Sequence, residues 1–137
     1  MWPIYQLAFE HSLRRFMFTK EFGLMLYVED VATEKAFWKA AGFTILNEAE
    51  MMGFETFDMN PRAEASTTIT VYAKEFIRQV SPEVVDMTPS VLFESNDIQA
   101  LQERIAALTG TCSPVNAEPF PNFNFASPSG HYFAVKG

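Results

Sequence analysis

The chain has 137 residues, 48% of them hydrophobic and 15% aromatic, which is enough for one domain with a substantial core. A formal net charge of −7 argues against nucleic acid as a partner, and no apolar run approaches the length needed to span a membrane. The single cysteine excludes a disulfide within the chain and suits a reducing compartment, so we expect a cytoplasmic protein.

The first sixteen residues are apolar, and Arg14 and Arg15 follow the apolar part rather than preceding it, which is the wrong order for a secretory signal. We interpret residues 1–16 as an N-terminal extension. It is either an upstream continuation of the reading frame or a helix used for docking. A single domain is expected over residues 17–137.

An apolar run from Gly23 to Val28 predicts a strand that is apolar on both faces. Asp30 follows, where its carboxylate can accept the free N–H groups of a new helix. Apolar residues then recur at helical spacing as far as Gly42, which suits a left-handed helix stop. Period-two stretches predict three further strands, at residues 43–52, 54–59 and 67–73.

The second half of the chain repeats this plan. The stretch from Ser90 to Ile98 predicts a strand followed by the helix cap Asp97, and the helix is expected to end at Thr109-Gly110. Three strands are predicted after it, at residues 112–117, 123–126 and 131–136. The pattern indicates a duplicated β-α-β-β-β unit and an α+β fold, with a ligand cleft expected at the seam between the units. Module one covers residues 20–76, an apolar connection residues 77–88, and module two residues 89–137.

Three features resemble the vicinal oxygen chelate superfamily, which includes glyoxalase I, extradiol dioxygenases, and fosfomycin- and bleomycin-resistance proteins. They are the strand-Asp-helix opening, the pair Phe37-Trp38 before Ala41-Gly42-Phe43, and the closing sequence from Phe125 through Pro128 and Gly130 to Phe133. The resemblance implies two tandem βαβββ modules that form a curved mixed-sheet cup.

The resemblance also implies four metal-ligand positions, which fall here at Gly23, Thr70, Ser90 and Ala134. Glycine and alanine side chains cannot bind a metal, and hydroxyls are poor ligands for a divalent transition metal. We therefore expect no metal, no cofactor and none of the Lewis-acid catalysis that such a metal supplies.

No other catalytic group stands out, and no catalytic residue is assigned. We expect His11 and His131 to be surface residues and Cys112 to be a buried, inert thiol. The sequence has no Gly-rich phosphate loop and no nucleophile elbow.

If the ligand positions implied by the resemblance face the cup, strand alternation divides the remaining strand residues into two sets. The helix-facing set is wholly apolar: Leu24, Leu26, Ile69, Val71, Val91, Phe93, Phe133 and Val135. Trp38 is expected to point off the main apolar face of its helix, toward the pocket rim or a second subunit, and Phe123 and Phe125 to lie beside a rim loop. The predicted ligand-binding residues are Met25, Tyr27, Trp38, Thr70, Tyr72, Leu92, Glu94, Phe123, Phe125 and Tyr132.

The sequence favours a metal-free binding protein of the glyoxalase/bleomycin-resistance type that sequesters a toxic aromatic or cationic small molecule. The resemblance implies a homodimer, because pockets in this superfamily are commonly completed across a two-fold interface. Two alternatives stay open. One is a lyase or isomerase of the same superfamily with a displaced metal site, and the other is a structural or regulatory protein with a collapsed cup.

Overall fold

The computed structural model describes residues 17–137, and the extension predicted over residues 1–16 lies outside the described residues. None of the helices in the described part is both long and apolar enough to cross a membrane. In chain order the elements are β1 (Gly23–Val28), α1 (Val31–Ala41), β2 (Thr44–Met51), β3 (Phe54–Asn60), β4 (Thr68–Ala73), α2 (Lys74–Val80), a 3-10 turn (Pro82–Val84), β5 (Leu92–Glu94), α3 (Ile98–Ala106), β6 (Asn122–Ala126) and β7 (Tyr132–Lys136).

The strands form two sheets with corresponding orders. The first sheet has the order β1-β4-β3-β2, and the second has the order β5-β7-β6. In each sheet the opening strand pairs in parallel with the last strand of its module, β1 with β4 and β5 with β7, and the other pairings are antiparallel. The predicted α+β fold with a duplicated strand-helix-strands plan is confirmed.

The strand predicted at residues 112–117 is wrong. That segment lies beside β6 but forms only one isolated bridge, between Asn116 and Asn122. The Asn124 N–H donates to Ser113 Oγ at 3.0 Å. In a regular β-ladder it would donate to a backbone carbonyl oxygen instead. Pro114 follows without an N–H of its own, so a regular ladder cannot continue through the segment.

The two predicted helices, α1 and α3, begin at the predicted caps. Asp30 accepts a hydrogen bond from Thr33 N and Asp97 from Ala100 N, each at 3.1 Å. Gly42 closes α1 in the left-handed region with φ at +109°. The regular part of α3 ends before the predicted Thr109-Gly110 stop, because the last turn tightens and the N–H groups of both Leu108 and Thr109 converge on the Ile105 carbonyl.

The core lies between α1 and the inner faces of both sheets. The helix-facing partition is supported: most of that set is fully buried, and Leu24, Val91 and Phe93 pack against the core in part. Trp38 of α1 stands at the centre, with its ring within about 6 Å of five phenylalanine rings. Three of them belong to the second module: Phe93, Phe125 and Phe133. The inner faces of the two sheets therefore share one core.

The connection predicted to be apolar at residues 77–88 contains the second half of α2 and the 3-10 turn, and α2 begins three residues earlier, at Lys74. Ile77 of α2 is buried, and the Phe76 ring lies 5.8 Å from the Tyr72 ring. The connection therefore forms a wall at one end of the outer face of the first sheet.

Candidate functional site

The strand register of the first sheet arranges its outward side chains in two parallel rows. Cross-strand pairing gives a tyrosine row, which consists of Tyr27, Tyr72, Thr56 and Ala49. It also gives a carboxylate row, which consists of Met25, Thr70, Asp58 and Asn47. Because successive outward residues are two positions apart, the rows are neighbours about 7 Å apart along the strands.

The carboxylate row holds Asp58 in one orientation. Thr70 Oγ1 donates to Asp58 Oδ1 at 2.6 Å, and Asn47 Nδ2 donates to Asp58 Oδ2 at 3.1 Å. A register irregularity between Ile45 and Asn47 brings Asn47 opposite Asp58, which is the kind of re-aiming that a β-bulge produces. The sequence did not single out Asp58, because its place beside Thr70 depends on the pairing register of β3 and β4.

The tyrosine row is an aromatic surface. The Tyr27 and Tyr72 rings are 6.4 Å apart, and the Tyr27 hydroxyl donates to Met25 Sδ at 3.8 Å. Burial, and secondly the neighbouring Tyr72, raise the pKa of the Tyr27 phenol, so the Tyr27 hydroxyl stays protonated at neutral pH. Tyr27 is almost fully buried whereas Tyr72 is half-buried, which makes Tyr72 the more accessible ring.

Two adjoining cavities lie on this outer face. One of about 260 Å³ is lined by both rows and contains Asp58, Thr70 and Tyr72. The other, of about 420 Å³, runs from Tyr27 to the connection and includes Glu83 at its edge. Met51 and Tyr72 line both, so we describe them together as the first-sheet groove. Among the described residues that line this groove, Asp58 and Glu83 are charged and there is no lysine or arginine.

The structure brings together four of the predicted ligand-binding residues, and three others lie elsewhere. Met25, Tyr27, Thr70 and Tyr72 all line the first-sheet groove. The other three belong to the second module. Leu92 lines a cleft between the two sheets, Tyr132 lies on the outer face of the second sheet, and Glu94 Oε1 pairs with Lys136 Nζ at 3.0 Å.

Three predicted site residues are core residues instead: Trp38, Phe123 and Phe125. Trp38 is completely buried, and its indole Nε1 donates to the buried Glu34 Oε2 at 2.8 Å. The buried surface of α1 is wider than its apolar stripe suggested, because the second module covers a further side of the helix. Phe123 and Phe125 are alternate residues of β6, not rim residues, and their side chains face the core.

His131 is also buried, contrary to the expectation of a surface residue. Its Nε2 lies 2.7 Å from the Tyr27 carbonyl oxygen. Since a carbonyl only accepts, Nε2 must carry the hydrogen. The N–H of Ser129 in the same closing turn donates to Glu34 Oε1 at 2.6 Å. These two contacts tie the end of module two to module one.

No family model and no curated protein matches this sequence. Solved structures match it in shape. TnmS3, an antibiotic binding protein from Streptomyces sp. CB03234, has a TM-score of 0.68 at 16% identity and covers 88% of this chain and 96% of its own. A glyoxalase/bleomycin resistance protein from the same strain has a TM-score of 0.65 at 17% identity, with coverages of 86% and 100%. A glyoxylase/bleomycin resistance protein/dioxygenase domain from Frankia sp. EAN1pec has a TM-score of 0.65 at 13% identity, with coverages of 87% and 97%.

This chain has the glyoxalase/bleomycin-resistance fold. The resemblance to the vicinal oxygen chelate superfamily seen in the sequence is confirmed at the level of the fold. At these identities the likeness establishes architecture, and this fold carries many different chemistries. Function therefore has to be argued from the side chains of the groove.

The metal positions of the glyoxalase/bleomycin-resistance fold do not carry a usable set of ligands here. Gly23 and Thr70 lie in the first sheet, and the Thr70 hydroxyl donates to Asp58. Ser90 and Ala134 border a shallow depression on the second sheet. Within residues 17–137 no three His, Cys, Asp or Glu side chains come together in a way that could hold a metal ion. The residues present do not fit the metal of this superfamily, which needs about three protein ligands.

Proposed function

We propose that this chain binds a small aromatic or cationic organic compound in the first-sheet groove without a metal ion, and that binding sequesters the compound. The observation that carries the proposal is the groove itself, in which Tyr72, Met25 and Met51 lie beside the fixed carboxylate of Asp58. A concave, largely apolar surface with a few oriented polar groups is typical of sites for organic ligands. The antibiotic-binding protein among the structural neighbours supports the choice of a small organic molecule.

The composition of the groove supports binding rather than turnover. Its described lining contains no histidine, cysteine or lysine, the residues that most often serve as nucleophiles or as bases near neutral pH. The thiol of Cys112 lies outside the groove, and burial raises its pKa, which makes it less reactive. Sequestration needs affinity alone, and the groove supplies it through aromatic and thioether surface.

We propose that two copies form a homodimer in which the second sheet of one copy covers the first-sheet groove of the other. The outer faces leave large apolar side chains exposed, with 54% of Met25, 50% of Leu92 and 63% of Tyr132 accessible. In such a dimer Leu92 and Tyr132 reach the ligand from the second copy, and Glu94 stays paired with Lys136 at the rim. The resemblance to the superfamily supports the same arrangement.

The proposal also includes a single domain and a cytoplasmic location. The shared core supports a single domain over residues 17–137, since side chains of both modules pack around Trp38. A location in the cytoplasm is supported by Cys112, which is a free thiol.

The test is a calorimetric titration of protein dialysed against EDTA with planar tricyclic probes, aminomethyl-anthracene and hydroxymethyl-anthracene. Tyr72→Ala should weaken binding about tenfold, because one lost stacking or cation–π contact is worth about 1–2 kcal/mol. Phe120→Ala removes an exposed ring of module two and is the matched control, with affinity unchanged. Equal affinities for wild type and Tyr72→Ala would mean that the first-sheet groove is not the site. A requirement for added metal would favour the lyase or isomerase alternative.

A further inference from the structure

We propose that Asp58 makes the first-sheet groove selective for ligands in which a cationic nitrogen is attached to a planar ring system. The inference rests on the proposed function, because it concerns the ligand class of the same groove. The sequence pointed to Glu94 as the anionic contact, but Glu94 lies on the second sheet with Lys136 as its partner.

Asp58 is a fixed carboxylate whose charge is not neutralised. Its two hydrogen-bond donors, Thr70 and Asn47, are both neutral. Within residues 17–137 no lysine, arginine or histidine lies within ion-pair distance of it, whereas Glu29 and Glu94 each have a basic partner at about 3 Å. An ionised carboxylate has about four acceptor positions, so after these two bonds each oxygen can still accept an N–H from a ligand.

The partial burial of Asp58 also favours a cationic ligand. Asp58 is half-buried beside Phe57, Tyr72 and Met51, where less water is available to solvate its charge. A charge in such a place is costly unless it is paired, and a ligand cation provides the pairing that the described protein residues do not. An ion pair formed there is stronger than one in open water, because the effective dielectric constant is lower.

The spacing of the two rows specifies the shape of the ligand. Tyr72 and Asp58 are diagonal neighbours on β4 and β3, one row apart and therefore about 7 Å from each other along the strands. A ligand whose flat ring lies against Tyr72 can place an attached ammonium or other cationic nitrogen at Asp58. Glu83 at the far edge of the groove adds negative potential without a specific contact.

The experiment compares two probes of the same shape, aminomethyl-anthracene, which is a cation at neutral pH, and hydroxymethyl-anthracene, which is neutral. Wild type should bind the cation about tenfold more tightly, and Asp58→Asn should reduce that preference to about onefold. The asparagine carbonyl can still accept the bond from Thr70, and the exposed Asn47 amide can turn so that its carbonyl accepts from the new NH2 group. We therefore expect the fold to be preserved, and circular dichroism checks this. Glu103→Gln makes the same change of net charge on an exposed position of α3 and should keep the full preference.

A second variant tests the role of Asp58 by adding a positive charge beside it instead of removing its negative charge. Asn47→Lys places an ammonium group beside Asp58 from an exposed position on the edge strand β2, and it should abolish the preference as Asp58→Asn does. A tenfold preference that survives both variants would overturn the inference while the proposed function stands. Equal binding of both probes by wild type would overturn it as well. If wild type binds neither probe at millimolar concentration, the proposed function itself is wrong.

Discussion

Glu34 is a fully buried carboxylate of module one that accepts one hydrogen bond from each module. Oε1 accepts the backbone N–H of Ser129 in the closing turn of module two, and Oε2 accepts the indole N–H of Trp38. The Ser129 bond fixes the position of the closing turn and therefore that of His131. The His131 ring in turn donates a hydrogen bond to the Tyr27 carbonyl, behind the first-sheet groove.

Glu34→Ala should therefore lower the free energy of unfolding by about 2–4 kcal/mol, because it leaves the buried Trp38 donor and the part-buried Ser129 donor without acceptors and opens a cavity. Glu103→Ala removes a glutamate from the exposed face of α3 and should change the free energy of unfolding by less than about 0.5 kcal/mol. Urea denaturation of the three proteins measures the difference. Equal midpoints for the two variants would show that the Glu34 contacts do not stabilise the fold.

At the scale of elements, each module begins its helix with an aspartate whose carboxylate accepts an amide of the first turn. The hydrogen bonds from Thr33 lower the pKa of Asp30. A lowered pKa in the folded state means that ionised Asp30 contributes stability above its unfolded pKa of about 3.9, and that this contribution is lost as the pH falls through the lowered folded pKa.

Asp30→Ala should therefore be less stable than wild type at neutral pH, and the gap between the two should close as the pH falls below about 4. Thermal unfolding followed by circular dichroism between neutral pH and pH 3 checks this. Asp86→Ala, a loss of one acid from an exposed position outside both helices, should show no such closing gap. A difference between Asp30→Ala and wild type that is constant with pH would contradict the capping role.

The same helices and strands show how much the sequence could reveal. Caps, the Gly42 stop and the alternation of apolar residues act locally, so the duplicated plan and most element boundaries were predictable. Asp58 was missed because its neighbours depend on the register of an antiparallel pair, which no local pattern fixes. Trp38 and Phe125 were misplaced for a related reason: their burial depends on how module two packs on α1. The four predicted residues in the groove lie on β1 and β4, where alternation counted from the ligand positions implied by the resemblance decided the face.

At the scale of the whole molecule, the two outer faces point away from the shared core, and the described part of one chain leaves the groove open on its outer side. A second copy that covers the groove with its own second sheet would enclose the ligand and bury the exposed side chains of Leu92 and Tyr132. Enclosure also explains how a binding protein could hold its ligand long enough for sequestration, since affinity differences reside mainly in the dissociation rate.

We expect wild type to sediment as a dimer at micromolar concentration and Leu92→Lys to sediment as a monomer, because a lysine in an apolar interface must lose its hydration. Leu108→Lys is the matched control, since Leu108 is a partly exposed leucine beyond α3 and outside the proposed interface. Analytical ultracentrifugation distinguishes the two states. A monomeric wild type, or a dimer unaffected by Leu92→Lys, would contradict the proposed assembly without affecting the assignment of the groove.

The most direct test of the binding function is an NMR titration of isotope-labelled protein with aminomethyl-anthracene in the presence of EDTA. We expect saturable shifts that are largest for the backbone amides of β3 and β4, at Thr56, Asp58, Thr70 and Tyr72, with smaller shifts at Phe76 in α2. Amides of α3 should not move, because that helix lies on the far side of the core. Saturable shifts confined to α3 and the inner cleft between the modules, or no saturable shifts until a divalent metal replaces the EDTA, would contradict this expectation.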